Sequence, residues 1–205
     1  MMPSKVIFMY NFLPKYLNSQ DLIKLGIKGV GTNVEISEQC NITGLENIVI
    51  GSNVRIDSNN IILAKRGYLS IGSNVHIEPG SSIVAHSGIT IGDFCTISHG
   101  VRLFTASANY NGEFLTNIFP NRKFQNPIVG PISIKNHVII GGNSVVMPNL
   151  VINEGAAIGA LSFVRHSLDG WKIYGGNPLR VIKNRDTTIK NLGEELINNS
   201  TDFDV

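Results

Sequence analysis

The sequence has little of several features that mark common protein classes. Its 205 residues include two cysteines and one tryptophan, and only 16% are charged. No apolar run is long enough to cross a bilayer, so we expect no membrane insertion. The net charge of +2 comes without a basic stripe interleaved with aromatics, so nucleic acid is not an expected partner. The short apolar N-terminal stretch is interrupted by Asn11 and Pro14 and has no small-residue cleavage site, which argues against a signal peptide.

The two cysteines are predicted to be free thiols. Cys40 and Cys95 each stand two residues before an aliphatic residue of the repeat described next, and three coils of that repeat separate them. This separation is about 14 Å at the usual strand spacing. A disulfide needs Cα atoms within about 7 Å. We therefore expect reduced thiols and a cytoplasmic protein.

A six-residue repeat dominates the chain. Between positions 131 and 165, one aliphatic residue recurs at every sixth position: Ile134, Ile140, Val146, Ile152, Ile158 and Val164. A period of six is not that of an amphipathic helix or of an alternating strand. It predicts short strands joined by corners, with three strands closing a triangular coil of a β-solenoid. The recurring aliphatic residues are predicted to point inward and to stack from coil to coil.

The same frame extends upstream and predicts about six coils, or roughly 29 Å of prism. The inward positions of the earlier coils are Val30, Ile36, Ile42, Ile50, Ile56, Ile62, Ile71, Ile77, Ile83, Ile91, Ile97 and Leu103. The extra residues between coils always follow the third strand, so the looser turns should share one edge. We predict a capping segment at 1–28, the β-helix at 29–168 and a C-terminal segment at 169–205. Short helices are expected to run from Leu22 and within 186–205.

Residues 104–130 interrupt the array after the fourth coil and show neither helix nor strand periodicity. Long loops of this kind inside compact domains are usually functional or disordered. This loop carries five aromatic residues, too many for a disordered linker, so we expect it to pack on a neighbouring subunit.

The hexads with their IGSN, IGDF and IGGN turns resemble those of the hexapeptide-repeat acyltransferases, which are left-handed parallel β-helices. The segment GGNPLRVIK at 175–183 is similar to the ending of the maltose, galactoside, polysaccharide and xenobiotic O-acetyltransferase subgroup. The resemblance covers residues 30–185. It implies an all-β enzyme that uses acetyl-CoA as co-substrate, needs no metal, and forms a homotrimer with active sites between subunits.

Acetyl transfer from a thioester requires a base for the acceptor's proton, an oxyanion donor and a cleft for the pantetheine arm. Histidine is the usual base. The frame places His86 at the corner after a third strand, on the edge from which the loop leaves, and we predict it to be the base. His99, two residues after Ile97, is the second candidate. An ordinary structural histidine is the competing interpretation for both.

The loop departs from the pattern of the galactoside and xenobiotic relatives, whose catalytic histidine lies inside it. In this chain the segment 106–111 has no histidine. Either His86 or His99 reaches the cleft from a neighbouring coil, or the acceptor is an amine that needs less help. Asn109 and Tyr110 are then candidates for binding the acceptor, with loop packing as the alternative.

The resemblance implies that coenzyme A lies in a groove between two prisms, against small residues at the turns. Gly142 and Ala160 match those contacts, although tight turns favour such residues anyway. Arg165, Arg180 and Lys183 match the basic residues near the nucleotide phosphates, which guanidinium groups bind well.

O-acetylation of a saccharide in polysaccharide or O-antigen biosynthesis is the main predicted function. A xenobiotic acetyltransferase and a nucleotide-amino-sugar N-acetyltransferase are the enzymatic alternatives, and a scaffold or sugar-binding solenoid is the non-catalytic one. A zinc-dependent γ-type carbonic anhydrase would need three histidines around one metal. No two histidines of the sequence are closer than ten residues and their repeat phases differ, so that class is disfavoured.

Overall fold

The computed structural model describes residues 15–117 and 122–200. Within them the chain winds into a parallel β-helix in which each coil contributes one strand to each of three sheets. We call these sheets the first, second and third faces, in the order in which each coil visits them. The first corner joins the first and second faces, the second corner joins the second and third, and the third corner leads into the next coil.

The strands of the three faces are two to five residues long. The first face consists of Gly29–Val30, Ile48–Ile50, Leu69–Ile71, Ile89–Ile91, Ile132–Ile134 and Leu150–Ile152. The second face consists of Tyr16–Asn18, Val34–Ser37, Val54–Ile56, Val75–Ile77, Thr96–Ile97, Ile139–Ile140, Ala157–Ile158, Lys172–Gly175 and Arg180–Asn184. The third face consists of Asn41–Thr43, Ile61–Leu63, Ser82–Val84, Arg102–Phe104, Val145–Val146 and Phe163–Val164.

The aliphatic residues of the repeat form the core, as predicted. On the first face Ile71 pairs with Ile91, Ile91 with Ile134, and Ile134 with Ile152, so equivalent positions stack directly. Each of these side chains is at most 3% exposed. Burying one aliphatic side chain of this size contributes about 1.5–3 kcal/mol. The register therefore cannot slip without moving the inward set to solvent.

The array is longer than predicted. Leu168 bridges to Ile152, and Tyr174 stacks on Ile158, so a partial seventh coil follows the six complete ones. Leu168 comes four residues after Val164 rather than six, and this irregular step hid the continuation from the hexad count. Leu168 and Tyr174 are both buried, which explains why the coil persists.

Two helices flank the prism in the described residues. Helix α1, Ser19–Lys24, begins three residues before the predicted Leu22, and its N-cap Asn18 forms a capping box with Asp21. The strand before it pairs antiparallel with Val34–Ser37 on the second face, which covers that edge of the first coil. Helix α2, Thr188–Ser200, confirms the predicted C-terminal helix. Neither helix is of a length and apolarity that could cross a bilayer. The N-terminal stretch considered as a signal peptide and the acidic end 202–205 lie outside the described residues.

The loop after the fourth coil has more structure than its sequence predicts. Ala106–Ser107 and Ile128–Val129 pair as an antiparallel ribbon at its base, and a 3₁₀ turn spans Arg122–Phe124. Strands of two residues are too short to show a period, so the sequence could not reveal them.

Candidate active site

A line of small residues runs along the second corner. The backbone N–H groups of Ser98 and Gly141 donate to the carbonyls of Ile140 and Ile158 in the next coil, at N···O distances of 2.9 and 2.7 Å, so that Ser98, Gly141 and Gly159 stack. The residues that follow these three are His99, Gly142 and Ala160, which therefore occupy equivalent positions in three successive coils. We call His99, Gly142 and Ala160 the corner column. It brings together two residues predicted to bind coenzyme A and one predicted base.

The two adjacent glycines of this corner are glycines for different reasons. A Cβ at Gly141 would stand 2.5 Å from the backbone nitrogen of Ala160, so coil stacking forbids any side chain there. A Cβ at Gly142 would meet only the carbonyl oxygen of His99, at 3.2 Å. Packing therefore forbids a side chain at Gly141, whereas a Cβ at Gly142 would make one tight contact with this carbonyl and cover the surface beside His99.

His99 is paired with a carboxylate. Glu78, one coil earlier, accepts hydrogen bonds through Oε2 from the imidazole Nδ1 of His99 and from its backbone N–H, the latter at 3.1 Å. The ring itself is exposed, with two thirds of the side-chain surface accessible, whereas Glu78 is largely covered. With the proton on Nδ1, Nε2 carries the free lone pair and can accept a proton from a substrate.

His86 lies at another corner. It stands in the turn between Ser82–Val84 and Ile89–Ile91, and the N–H of its neighbour Ser87 donates to Thr105 Oγ1 at 3.1 Å. The loop leaves the prism at this third corner, as the repeat frame predicts. Within one chain, however, His86 and the corner column belong to different corners, so the structure does not bring His86 together with Gly142 and Ala160.

The predicted phosphate-binding residues lie at the C-terminal end of the prism. Arg180 pairs with Gly175, which stacks on Gly159 at the second corner, so it lies at the end of the line of Ser98, Gly141 and Gly159 that runs beside the corner column. Lys183 lies on the same strand opposite Ile173, farther across the second face. Arg165 lines a cavity of about 210 Å³ together with Pro178 and Leu179 of the GGNPLRVIK segment.

The loop residues predicted to bind the acceptor are exposed in the single chain. Tyr110 is 81% accessible. The side chain of Asn109 accepts a hydrogen bond from the backbone N–H of Asn111 at 2.9 Å, which shapes the loop locally.

Sequence reasoning missed a charged network on the second face. Asp57 accepts hydrogen bonds from Tyr16 and Arg55 at 2.8 and 2.9 Å and contacts His76 Nε2 at 2.7 Å. Burial raises the pKa of Asp57, but these hydrogen bonds outweigh it and hold the pKa at about 2. The guanidinium of Arg55 also lies 4.6 Å from the ring centroid of Tyr16. The network ties the N-terminal strand to the second and third coils, and only the stacked coils bring its members together.

His137 has a structural role. It is 9% exposed and its ring stacks on Phe94 at a centroid distance of 5.1 Å. Burial lowers the pKa of His137. Cys95 is equally unsuited to chemistry, because burial raises the pKa of its thiol to about 12. Both side chains therefore serve packing rather than proton transfer or nucleophilic attack.

A metal centre finds no support in the described residues. Across 15–117 and 122–200, no three histidine, cysteine, aspartate or glutamate side chains converge in a way that could hold a metal ion.

The chain resembles known acyltransferases over most of its length, although no protein-family model matches it. It is 36% identical over 177 residues to the dTDP-4-amino-4,6-dideoxy-D-glucose acyltransferase of Escherichia coli, which covers 86% of this chain and 92% of that enzyme. The crystal structure of AntD, an N-acyltransferase from Bacillus cereus in complex with dTDP and 3-hydroxybutyryl-CoA, matches with a TM-score of 0.87 and 36% identity over 92% of this chain and 100% of AntD. A hexapeptide-repeat acetyltransferase from Vibrio cholerae O1 biovar eltor, complexed with acetyl coenzyme A, matches with a TM-score of 0.53 and 20% identity, over 82% and 78% of the two chains.

The stacked hexads and the shared β-helix define the fold class as that of the hexapeptide-repeat acyltransferases, which confirms the class predicted from the sequence. The identity over nearly the whole length of both proteins goes further. The chain belongs to the acyltransferase family that includes the E. coli dTDP-4-amino-4,6-dideoxy-D-glucose acyltransferase. The narrower resemblance to the maltose, polysaccharide and xenobiotic subgroup stays a prediction.

Proposed function

We propose that this protein transfers an acyl group from an acyl-coenzyme A thioester to the amino group of a nucleotide-linked amino-deoxy sugar. The observation that carries the proposal is the 36% identity, over 86% of the chain, to an enzyme whose name specifies such an acceptor. The similarity to a solved N-acyltransferase bound to dTDP and an acyl-CoA supports the same chemistry.

This proposal adopts one of the alternatives drawn from the sequence in place of O-acetylation of a saccharide. The hexads and the GGNPLRVIK ending are informative about the fold and the donor, and they do not distinguish one class of acceptor from another. The missing loop histidine is consistent with an amine acceptor, because a neutral amine is a better nucleophile than a hydroxyl and needs less help from a base.

In the proposed reaction, the neutral amine attacks the thioester carbonyl and the C–S bond breaks as the amide bond forms. His99 Nε2 takes the proton lost by the amine and passes it to the departing thiolate, so that coenzyme A leaves as the thiol. The corner column would hold the pantetheine arm against Gly142 and Ala160. Arg165, Arg180 and Lys183 would hold the nucleotide phosphates of the coenzyme.

A homotrimer with active sites between subunits is part of the proposal. The outward residues of the prism include half-exposed aliphatic side chains, and the loop presents the exposed aromatics Tyr110 and Phe124. A neighbouring prism packed along the second corner would close the groove over the corner column. Asn109 and Tyr110 of a neighbouring subunit's loop would then reach the acceptor.

The decisive experiment incubates the purified protein with acetyl-CoA or 3-hydroxybutyryl-CoA and dTDP-4-amino-4,6-dideoxyglucose. Release of free thiol measures turnover, and mass spectrometry identifies the product. We expect one acyl group to be added through an amide that resists hydroxylamine.

The matched control is dTDP-6-deoxyglucose, which carries a hydroxyl in place of the amine and should not react. Acylation of this control, or of a simple saccharide instead of the amino sugar, would restore the O-acetyltransferase interpretation. Turnover with chloramphenicol alone would favour the xenobiotic class.

A further inference from the structure

Among the residues that the structure describes, two histidines contact a carboxylate from a neighbouring coil, and their positions differ. His76 lies within the second face, in the strand Val75–Ile77, where its Nε2 faces Asp57. His99 lies at the second corner, where its Nδ1 faces Glu78. Only the second pair adjoins the corner column.

The nitrogen that each carboxylate engages decides what the histidine can do. Asp57 occupies Nε2 of His76, the outer nitrogen of the ring, and Tyr16 and Arg55 saturate the same carboxylate. Glu78 engages Nδ1 of His99 and leaves Nε2 on the exposed end of the ring. This arrangement suits a histidine base, because the hydrogen bond on Nδ1 fixes the tautomer in which the exposed Nε2 can accept a proton.

Glu78 is itself held firmly. Its backbone N–H donates to the carbonyl of Ile97 at 2.8 Å, which places it directly under the turn that carries His99. The same Oε2 binds both the ring and the backbone N–H of His99. One carboxylate oxygen therefore sets both the turn and the ring orientation.

We propose that Glu78 is a positioning residue for the acyl transfer: it holds His99 as the Nδ1–H tautomer, with Nε2 directed toward the thioester path beside Gly142. This inference rests on the proposed function for its kinetic consequence, although the tautomer can be tested without any substrate. It also assigns the base role to the corner histidine rather than to His86.

The first test is spectroscopic and uses the full-length protein. A two-dimensional ¹H–¹⁵N correlation of the imidazole rings distinguishes Nδ1–H from Nε2–H. We expect wild-type His99, identified by its loss in His99→Asn, to be the Nδ1–H tautomer near pH 8. In Glu78→Met, which keeps side-chain volume but removes the acceptor, the Nε2–H tautomer should become dominant. An unchanged tautomer in a folded Glu78→Met protein would overturn the proposal.

The second test is kinetic. Glu78→Met should lower kcat by about 10- to 1,000-fold, within the range for impaired general-base catalysis, and leave KM for the acyl-CoA nearly unchanged. Glu78→Gln, which can still accept from Nδ1–H, should recover part of the loss. The double variant Glu78→Met/His99→Asn should be no slower than His99→Asn alone, because Glu78 acts only through His99. Additive losses would show that Glu78 has a separate role.

The matched control is His76→Asn, which removes the other carboxylate-paired histidine and should keep nearly wild-type kcat. If the amino sugar is not a substrate, the proposed function fails while the tautomer test still stands. The kinetic comparison would then be made with whichever acceptor is acylated. If an acceptor reacts but His99→Asn retains full turnover, the assignment of the base is wrong.

Discussion

At the scale of single residues, a larger side chain at Ala160 is expected to obstruct the proposed binding groove for coenzyme A. Ala160 is exposed and stands in the corner column, one coil beyond Gly142. Ala160→Leu should obstruct the pantetheine path without disturbing the core, because the new side chain points to solvent. We expect acyl-CoA affinity to fall at least tenfold, or about 1.4 kcal/mol, by isothermal titration calorimetry.

Ser58 provides the control for that substitution. It occupies the same position of the second corner four coils earlier, away from the proposed thioester path. Ser58→Leu should leave the affinity unchanged. Equal effects of the two substitutions, or none for Ala160→Leu, would show that the donor groove lies elsewhere.

Arg180 tests the phosphate end of the same groove. Through its pairing with Gly175 it lies at the end of the line of small residues beside the corner column. Arg180→Ala should weaken coenzyme A binding by about 1.5–3 kcal/mol, the range for hydrogen bonds to charged groups. Lys190→Ala, which removes an ion pair with Glu154 at the first corner, is the comparison. If coenzyme A analogues without the phosphates bind wild type and Arg180→Ala equally, the lost affinity for coenzyme A can be assigned to the phosphates.

At the scale of the structural element, the first corner depends on the left-handed conformation. Asn33, Asn53 and Asn74 adopt φ values of 52°, 57° and 57° in successive coils. Their amides also form a ladder, with 2.9 and 3.2 Å between neighbouring side chains. Asparagine and glycine tolerate this conformation, whereas other L-residues are disfavoured by about 1–2 kcal/mol.

The cost of this conformation can be separated from that of the ladder at Asn53. Asn53→Ala and Asn53→Gly both remove the amide, but only alanine keeps a Cβ that resists φ near 57°. Asn53→Ala should be less stable than Asn53→Gly, although glycine's greater unfolded-state entropy reduces the difference to about 1 kcal/mol or less. Urea denaturation followed by circular dichroism would measure it, and a more stable alanine variant would contradict the explanation.

At the scale of the whole molecule, the network around Asp57 predicts how stability responds to acid. Its folded pKa of about 2 lies below the ordinary value of 3.8, so the ionised carboxylate stabilises the native state. This contribution is fully present above about pH 4 and is lost as the pH falls toward 2. Asp57→Asn should therefore be less stable than wild type at pH 7, and the difference should shrink across that window in denaturation experiments. A difference that is constant with pH would contradict the assignment.

The assembly is the other whole-molecule prediction. We expect three chains of 22.3 kDa to form a stable trimer in solution, because the proposed site lies between neighbouring prisms. Light scattering coupled to size-exclusion chromatography measures the mass directly. A monomer would contradict both the trimer and the shared site, while leaving the tautomer of His99 testable.

The β-helix follows from the repeat in the sequence alone. An aliphatic residue at every sixth position leaves the chain one way to bury all of them, because each strand of two or three residues is stable only when stacked on its equivalents. Two features were not predicted. The four-residue step before Leu168 breaks the six-residue period, and the two-residue strands at the base of the loop are too short to show any period.

The composition of the candidate site, by contrast, depends on how the coils stack. Glu78 and His99 are 21 residues apart, and neither belongs to the inward set that the repeat reveals. The sequence favoured His86 as the base because its phase matched the exit of the loop. Coil stacking instead places His99 beside Gly142 and Ala160 and gives it a carboxylate. The difference is physical: burial constrains the inward residues one by one along the chain, whereas an outward side chain acquires its partners only from the coils above and below it.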